Sequence, residues 1–458
     1  MTESSQDPNI TLLTYSEVEE VKGYVGNFDV TIRKKARSVD LDTCTGCGDC
    51  IQKCPKRVTS EFDMGLGRRK AVYVPYGQAV PNVPVIDKDT CLFYTKGKCR
   101  MCEEACGPKA IRLGQEDELI TEKFGAIVVA TGFDQWDWTK YGEYGGGEIE
   151  NVITGLHMER MLESTGPTAG HVVRPSDGKE AETVVFIQCA GSRDPERGVS
   201  YCSRVCCMYT AKHALMLKEH QPNSQAYVFY IDVRAPGKNY EEFYQKAQRD
   251  HGAIYVRGRP SKLFERGDKV VVRGVDTLTG RTLEIEADLV VLATALVPSK
   301  GSIELAKKLN IPHDEHGFFS EVHPKLQPVD SVTKGIFLTG ACQFPRDIPD
   351  TVAMSGAAAA GVCAVFSQDH LTIEPRIAEV DEDRCSSCFN CVDVCPFGAI
   401  EIVSTDDDRK VAHVQRSLCA GCGNCASACR VRAIDVDGFR DHQIYAQIRG
   451  AFQWGERP

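Results

Sequence analysis

Cysteine is the residue type most able to do chemistry in this chain: 22 of its 458 residues are cysteines. Two-residue gaps between cysteines let three thiolates of one tight loop reach three corners of a 4Fe–4S cubane. Three motifs have the spacing C-x2-C-x2-C-x3-C: Cys44, Cys47, Cys50 and Cys54; Cys385, Cys388, Cys391 and Cys395; and Cys419, Cys422, Cys425 and Cys429. A fourth motif is stretched at its front: Cys91, Cys99, Cys102 and Cys106.

The fourth cysteine of such a motif ligates the other cluster of a pair, so the motifs are expected to work in twos. In the first pair we predict these ligand sets: Cys44, Cys47, Cys50 with Cys106, and Cys91, Cys99, Cys102 with Cys54. In the second pair we predict these sets: Cys385, Cys388, Cys391 with Cys429, and Cys419, Cys422, Cys425 with Cys395. Structural zinc is the alternative, but it needs only two cysteine pairs and no third cysteine at the same step.

Four further cysteines gather in the middle of the chain: Cys189, Cys202, Cys206 and Cys207. Cys189 follows the apolar run Thr183–Ile187, which has the pattern of a buried strand. The other three lie near the start of a predicted helix, Ser203–His220. A thiol at the end of a strand can meet thiols at the start of a helix, which would suit a fifth cluster. Buried, unligated cysteine explains the same spacing equally well.

Three apolar strands that end in small-residue turns suggest a nucleotide-binding frame: Ala126–Gly132, Leu289–Ala295 and Gly335–Ala341. The third leads into a small-residue helix, Thr351–Val365, whose positive N-terminal end can approach a ligand. The order of these segments is similar to that of two-dinucleotide-domain flavoproteins of the thioredoxin reductase type, in which such turns line FAD. On that likeness the predicted FAD contacts in these segments are Thr131, Gly132, Gly340, Ala341, Gln343, Thr351 and Val352.

One part of a dinucleotide site is missing, since no G-x-G-x-x-G opens a βαβ unit in this sequence. The glycine-rich stretch Gly142–Gly147 has no strand before it. At Gln188–Asp194, where a second glycine loop would be expected, the chain has Cys189 and bulky side chains instead. We therefore predict that no NAD(P) binds at this turn.

Charge and hydropathy restrict the class of protein. A formal charge of −10 argues against nucleic acid as the main partner. No apolar run approaches the ~20 residues of a membrane span, and the polar start, Met1–Ile10, is unlike a signal peptide. These features predict a soluble, cytoplasmic protein. The short basic segment Arg68–Lys70 is expected in a solvated loop.

Several strings together resemble the A-type subunit of heterodisulfide reductase (HdrA), an iron–sulfur flavoprotein family. The most specific are Gln188–Asp194 (QCAGSRD) and Tyr201–His213 (YCSRVCCMYTAKH), and the likeness extends over nearly the whole chain. It implies an α/β fold with a thioredoxin-reductase-like FAD domain, incomplete because its first βαβ unit is missing, and two α+β ferredoxin-like domains. The implied boundaries are 1–37 and 116–375 for the FAD domain, 38–115 and 376–440 for the ferredoxin domains, and 441–458 for a tail.

The resemblance also implies roles for residues that spacing leaves undecided. It assigns a fifth, unusual 4Fe–4S cluster to the central set: Cys189, Cys202, Cys206 and Cys207. It places Lys212 near the flavin, where a cation would stabilise the reduced, anionic ring. The alternative for Lys212 is an ordinary surface lysine on a helix. Cys342 and Cys363 remain without a role, and the resemblance identifies no catalytic residue.

Members of this family usually begin with a long further region that holds one more cluster and the FAD glycine loop. This sequence starts after that region, and Met1 with its polar leader looks like a true start. The resulting hypothesis is a split subunit, in which a second polypeptide supplies the glycine loop and FAD lies across the interface.

The functional expectation is one subunit of an electron-bifurcating or confurcating oxidoreductase. The expected partners are subunits of the heterodisulfide reductase B and C types, a hydrogenase or formate dehydrogenase adaptor, and ferredoxin, in an oligomeric complex. The alternative is a passive electron wire in another anaerobic oxidoreductase, of the quinone-interacting or aromatic-ring-reducing type.

Overall fold

The computed structural model describes residues 2–370 and 376–453. The chain begins with α1 (Thr2–Gln6) and a three-stranded antiparallel sheet whose strands are β1 (Ser16–Tyr24), β2 (Asn27–Lys34) and β7 (Glu118–Phe124). Burial alternates along β2, so one face of this sheet packs into a core while the other remains partly exposed. The long connection from β2 to β7 contains a separate small unit.

This inserted unit is built from short elements: α2 (Asp49–Lys53), β3 (Arg57–Thr59), β4 (Arg68–Lys70), β5 (Val72–Tyr73), β6 (Val85–Ile86), α3 (Leu92–Lys96) and α4 (Met101–Glu104). Cysteines and small apolar side chains make up its core. The expectation of a solvated loop at Arg68–Lys70 is wrong, because these residues form β4, which pairs with β3. The Arg69 guanidinium also lies 3.9 Å from the centre of the Tyr73 ring and is ion-paired to Asp87 at 2.9 Å.

Two small sheets follow the inserted unit. In the first, β8 (Ile127–Val129) pairs in parallel with β19 (Ile336–Leu338). In the second, β9 (Phe133–Gln135) pairs antiparallel with β18 (Leu296–Pro298). The long helix α9 (Ile348–Phe366) begins shortly after β19.

The largest sheet is parallel, in the spatial order β10 (Val152–Thr154), β17 (Leu289–Thr294), β11 (Thr183–Ala190), β12 (Gln225–Tyr230) and β13 (Ile254–Arg257). Its central strands are buried along nearly their whole length, as the continuous apolar runs predicted. Helices accompany it: α5 (Gly155–Leu162), α6 (Cys206–His220) and α7 (Tyr240–Arg249). Helix α8 (Ser302–Leu309) packs against β1 instead. An antiparallel sheet packs beside it: β14 (Pro260–Arg266), β15 (Lys269–Asp276) and β16 (Arg281–Ala287). The predicted α/β class is confirmed.

The C-terminal unit repeats the design of the inserted one: β20 (Ala378–Val380), α10 (Asn390–Asp393), β21 (Ile400–Ser404), β22 (Lys410–Val414), α11 (Asn424–Ala428) and β23 (Ile434–Val436). Its core again mixes cysteines with aliphatic side chains. The predicted tail contains a helix, α12 (Asp441–Gln453).

By length and composition, α9 could cross a bilayer. An 18-residue stretch of this helix has a mean hydropathy of 1.4, and 11% of the stretch is buried inside the protein. The small-residue helix predicted at Thr351–Val365 is confirmed, and α9 extends it to Ile348 and Phe366. One such helix is weak evidence for a membrane span, because helices of soluble proteins pass the same test of length and composition.

Candidate cluster and flavin sites

In the inserted unit, one cavity brings together the first three cysteines of one motif and the last cysteine of the other: Cys44, Cys47, Cys50 and Cys106. Burial raises the pKa of the Cys50 thiol to about 11, and the neighbouring thiols of Cys106 and Cys44 add to the effect. The crossing of Cys106 follows from the short helices, since α2 and α4 pack against each other and present their ends to the same space.

The complementary set of the inserted unit surrounds Cys102. Burial raises the pKa of the Cys102 thiol to about 12, and the thiols of Cys91 and Cys54 add to the rise. Cys99 stands in the loop before α4 with a φ of +97°, and it is partly exposed. The structure thus brings Cys54 to the group of the other motif, as the spacing predicted.

The C-terminal unit shows the same exchange in two cavities. The first is lined by the cysteines Cys419, Cys422, Cys425 and Cys395. The second is lined by the cysteines Cys385, Cys388, Cys391 and Cys429. In the first cavity, burial raises the pKa of the Cys425 thiol to about 11. Each cavity therefore contains one complete predicted ligand set.

Backbone amides donate to the sulfurs of three crossing cysteines. Ala110 N lies 3.2 Å from Cys106 Sγ, Ala399 N lies 3.3 Å from Cys395 Sγ, and Ala433 N lies 3.2 Å from Cys429 Sγ. The donor stands four residues after the cysteine in each case, so the repeated C-x3-A spacing was the signal available in the sequence. Hydrogen bonds to sulfur are one of the levers that set the potential of a cluster.

The thiol groups fit a cluster better than a single ion. Within residues 2–370 and 376–453, no three His, Cys, Asp or Glu side chains converge closely enough to hold one metal ion. The sulfurs line the walls of cavities instead, as a cubane of iron and sulfide would require. Ligation would also require deprotonation, since thiolates and not thiols bind metal.

In the central set, three thiols are buried in the interior: Cys189, Cys206 and Cys207 are each at most 3% exposed. The Cys206 thiol hydrogen-bonds those of Cys189 and Cys207. The bond from Cys206 lowers the pKa of Cys189 to about 7, assisted by the charges of Arg193 and Arg259.

Cys202 stands slightly apart from these three thiols. It is partly exposed, and its Sγ accepts a hydrogen bond from Arg204 N at 3.3 Å. The positive charge of Arg193 interacts with the thiols of both Cys189 and Cys202. This arginine therefore lies between the buried thiols and Cys202.

Cys189, the next-to-last residue of β11, has an unusual backbone conformation, with a φ of +58°. Gly191 follows with a φ of +81°, and a Cβ there would lie 2.5 Å from the Trp136 ring. Arg259 donates to Tyr141 Oη at 3.0 Å, and Tyr141 in turn hydrogen-bonds Asp194. Side chains therefore fill the place where a glycine loop would receive a pyrophosphate.

The predicted FAD turns meet at one end of the β8–β19 sheet. Thr339 N donates to Val129 O at 3.0 Å, which sets the turns at Thr131–Gly132 and Gly340–Ala341 side by side. The nearest atom to a Cβ at Gly340 would be Thr351 Cγ2 at 3.0 Å, so the first turns of α9 adjoin the Gly340–Ala341 turn. Val352, the next residue of α9, is 65% exposed.

Gln343 and Cys342 lie behind these turns. Gln343 is buried, and its Nε2 donates to Pro328 O at 2.8 Å, which leaves its Oε1 without a partner in the described residues. The Cys342 thiol donates to Thr339 O at 3.1 Å, and burial raises its pKa. Cys342 therefore serves packing, while Cys363 is exposed on α9.

Lys212 lies on α6 and is held by Glu159 of α5, with 2.5 Å between Nζ and Oε1. His213 hydrogen-bonds the other oxygen of that carboxylate at 2.7 Å. The His213 ring is buried and its pKa is lowered, so we take it as a neutral donor through Nε2. Its hydrogen bond is the main cause that lowers the pKa of Glu159 to about 2. The structure thus gives Lys212 a partner that the sequence did not suggest.

The loop from Cys202 to Cys206 lies close in space to the FAD turns. Arg204, between Cys202 and Cys206, forms an ion pair with Asp350 in the first turn of α9. Asp347 caps the same helix end, accepting from Asp350 N at 3.0 Å. A group bound at the start of α9 would therefore lie beside the loop that carries the central thiols.

Comparison with known proteins agrees with this geometry. Residues 384–433 match the family model described as a 4Fe-4S dicluster domain. The iron-sulfur A-type subunit of CoB--CoM heterodisulfide reductase from Methanocaldococcus jannaschii is 49% identical over 89% of the chain and 61% of its own length. The second such protein of Methanopyrus kandleri is 49% identical over 99% of the chain and 68% of its own length.

The chain thus spans about three fifths to two thirds of the length of these relatives. Among solved structures, thioredoxin reductase of T. acidophilum is 16% identical, with a TM-score of 0.37 over 55% of the chain and 70% of that structure.

Proposed function

The chain belongs to the HdrA family of heterodisulfide reductases, and from that membership we propose that it is the iron–sulfur flavoprotein electron carrier of a heterodisulfide-reductase-type complex. One observation carries the proposal: cysteines distant in sequence surround shared cavities in crossed sets. Such crossing is the ligand pattern of paired 4Fe–4S clusters.

The residues suit five clusters. Four would be held by the crossed sets of the inserted and C-terminal units, and a fifth by the central set: Cys189, Cys202, Cys206 and Cys207. For the fifth, the positive charges of Arg193 and Arg259 beside Cys189 favour thiolates, which are the ligating form. Such clusters supply one-electron transfer when bound, and the protein's part is to hold and tune them.

FAD would be received by the turns at the end of the β8–β19 sheet and by the start of α9. Flavin supplies the exchange between two-electron and one-electron transfer when bound. The chain's own contribution is a helix end that favours the pyrophosphate and turns that allow a close approach of the backbone. Lys212 would provide a positive charge toward the ring, with Glu159 fixing its position.

We further propose that a partner polypeptide completes the FAD site with its glycine loop. The support is an uncovered apolar surface around the frame: Val128 is 45%, Phe133 41%, Ile348 79% and Val352 65% exposed. In the described residues, β8 pairs only with β19, which leaves its other edge open to a further strand. Parallel sheets are normally covered on both faces, so this surface suits a βαβ unit.

In the complete assembly, we propose bifurcation or confurcation between a two-electron donor, ferredoxin and a heterodisulfide-like acceptor. The partners would be heterodisulfide reductase B- and C-type subunits and a hydrogenase or formate dehydrogenase adaptor, in the cytoplasm. The support is that the cysteine sets, which would hold one-electron carriers, lie in both small units and beside the FAD turns. A relative from Methanothermobacter thermautotrophicus, which belongs to an H(2):CoB-CoM heterodisulfide,ferredoxin reductase, fits this assembly by its name.

The test is anaerobic purification of the chain alone and together with its complex, followed by counting flavin and iron. The expected result is a full set of clusters in both samples and stoichiometric FAD only in the complex. Full FAD occupancy in the chain alone would contradict the shared site. A complex that passes electrons to a single acceptor, with no second acceptor reduced, would instead identify a passive electron wire.

A further inference from the structure

A cleft of about 530 Å³ separates the α/β body from the C-terminal unit. The β1–β2 hairpin, the end of α8 and the loop before β19 form its wall on the body side. On the opposite wall lie two loops of the C-terminal unit, one beginning at Cys395 and one ending just beyond Cys419. Both cysteines belong to the same crossed set, so the proposed cluster of that set would face the body.

The body wall of the cleft is positively charged. It carries the lysines Lys22, Lys307, Lys308 and Lys334, and no Asp or Glu stands among the described residues that line the cleft. Lys22 is ion-paired to Glu20 at 2.9 Å, and Lys308 Nζ donates to Val18 O at 2.7 Å. Lys307 and Lys334 are exposed and have no ion pair in the described part of the chain.

Unpaired cations opposite a cluster have a definite electrostatic consequence. When a cluster accepts one electron from a neighbouring one-electron carrier, its negative charge rises by one. A nearby ammonium group stabilises that added charge, and water in the cleft weakens the attraction without abolishing it. Neither Lys307 nor Lys334 lines the other cavity of the C-terminal unit, which holds Cys388 and Cys429 and where the positive charge of Arg430 acts on Cys388.

We propose that Lys307 and Lys334 raise the reduction potential of the cluster in the set Cys395, Cys419, Cys422 and Cys425. The effect is specific to this body-facing cluster, because neither lysine lines the other cavity of the unit. This inference rests on the cluster ligation given under Proposed function. It adds two residues from outside the ligand motifs that tune the potential of one cluster of the unit.

The experiment is a redox titration of the anaerobically purified protein, monitored by electron paramagnetic resonance, for wild type and the double variant K307Q/K334Q. We expect the equilibrium constant for reduction of this one cluster to fall about tenfold, which is 59 mV for a one-electron couple. The difference should shrink as salt is added, because both ammonium groups are exposed to water. The cluster of the Cys385 set should keep its potential.

The matched control is K238Q/K262Q, which removes the same charge from two exposed lysines outside the cleft wall. Assignment of signals uses C422A, which removes a ligand of the body-facing cluster, and C388A, which removes one of its neighbour. Equal shifts in both double variants, or no shift in K307Q/K334Q, would overturn the inference. If the wild type held no cluster lost in C422A, the proposed function would fail first, and this outcome is seen before any potential is compared.

Discussion

Cys106 lines the same cavity as Cys44, while Cys102, its neighbour in the same motif, lies with Cys54 and Cys91. The two motifs of the inserted unit thus exchange their last cysteines. The geometry makes each cavity dependent on two distant segments, and so it links cluster binding to the folding of the whole unit.

This exchange predicts which single substitutions behave alike. Replacing Cys106 by alanine should abolish or degrade the same cluster signal as replacing Cys47 by alanine. Replacing Cys54 should match replacing Cys102 instead. The measurement is the low-temperature electron paramagnetic resonance spectrum of each reduced variant, with iron content as a check. If C106A resembled C102A, the crossing would be wrong.

Gly191 should be irreplaceable for steric reasons. Both Gly191 and Gly178 have positive φ, +81° and +71°, so alanine at either position costs about 1–2 kcal/mol of backbone strain. Only at Gly191 would the new Cβ meet the Trp136 ring, at 2.5 Å. We therefore expect G191A to lower the thermal midpoint clearly more than G178A and to weaken the central cluster. Equal midpoints for the two variants would contradict this account of the turn.

A buried carboxylate, Asp288, joins the starts of the interior strands β11 and β17 of the large sheet. It is 4% exposed, accepts from Thr183 N at 3.0 Å, and lies 3.3 Å from the buried Arg174 guanidinium. Removing one partner of a buried ion pair costs about 3–5 kcal/mol, so D288N should be strongly destabilising. Asp268 contacts the same arginine at 3.0 Å but is 71% exposed, so D268N should cost clearly less than D288N. Denaturant unfolding of both variants compares the two, and similar losses would argue against the role of burial.

The low pKa of Glu159, about 2 against an ordinary value of 4.5, predicts a pH-dependent contribution to stability. A carboxyl with a depressed folded pKa stabilises the fold above its unfolded pKa and loses that contribution as pH falls through the folded value. Wild type should therefore exceed E159Q in thermal midpoint above about pH 5, and the gap should narrow toward pH 2. E163Q, an exposed carboxyl just past the end of α5, is the control. A gap independent of pH would show that the ion pair is not its origin.

Much of the site was accessible from sequence because ligand spacing is a local property. The spacing of Cys44, Cys47 and Cys50 predicts one cluster-binding loop. The rule that the fourth cysteine of such a motif ligates the other cluster of the pair predicts the crossing. The strands before Cys189 and Thr131 were equally visible, since buried parallel strands are continuous apolar runs.

The features that could not be predicted from the sequence depend on contacts between distant segments. The Glu159–Lys212 ion pair joins two helices, and the cleft with Lys307 and Lys334 lies between the α/β body and the C-terminal unit. Neither feature can be recognised from a local sequence pattern. The strand at Arg68–Lys70 was missed because ion pairs and the Tyr73 ring, rather than apolar alternation, hold it.

The metal content of the anaerobically purified chain shows whether the cysteine sets hold iron–sulfur clusters. Five clusters predict about twenty irons per chain with matching sulfide, and no stoichiometric zinc. A sample that held zinc at the cysteine sets, or whose cysteines were joined in disulfides with iron nearly absent, would contradict the account.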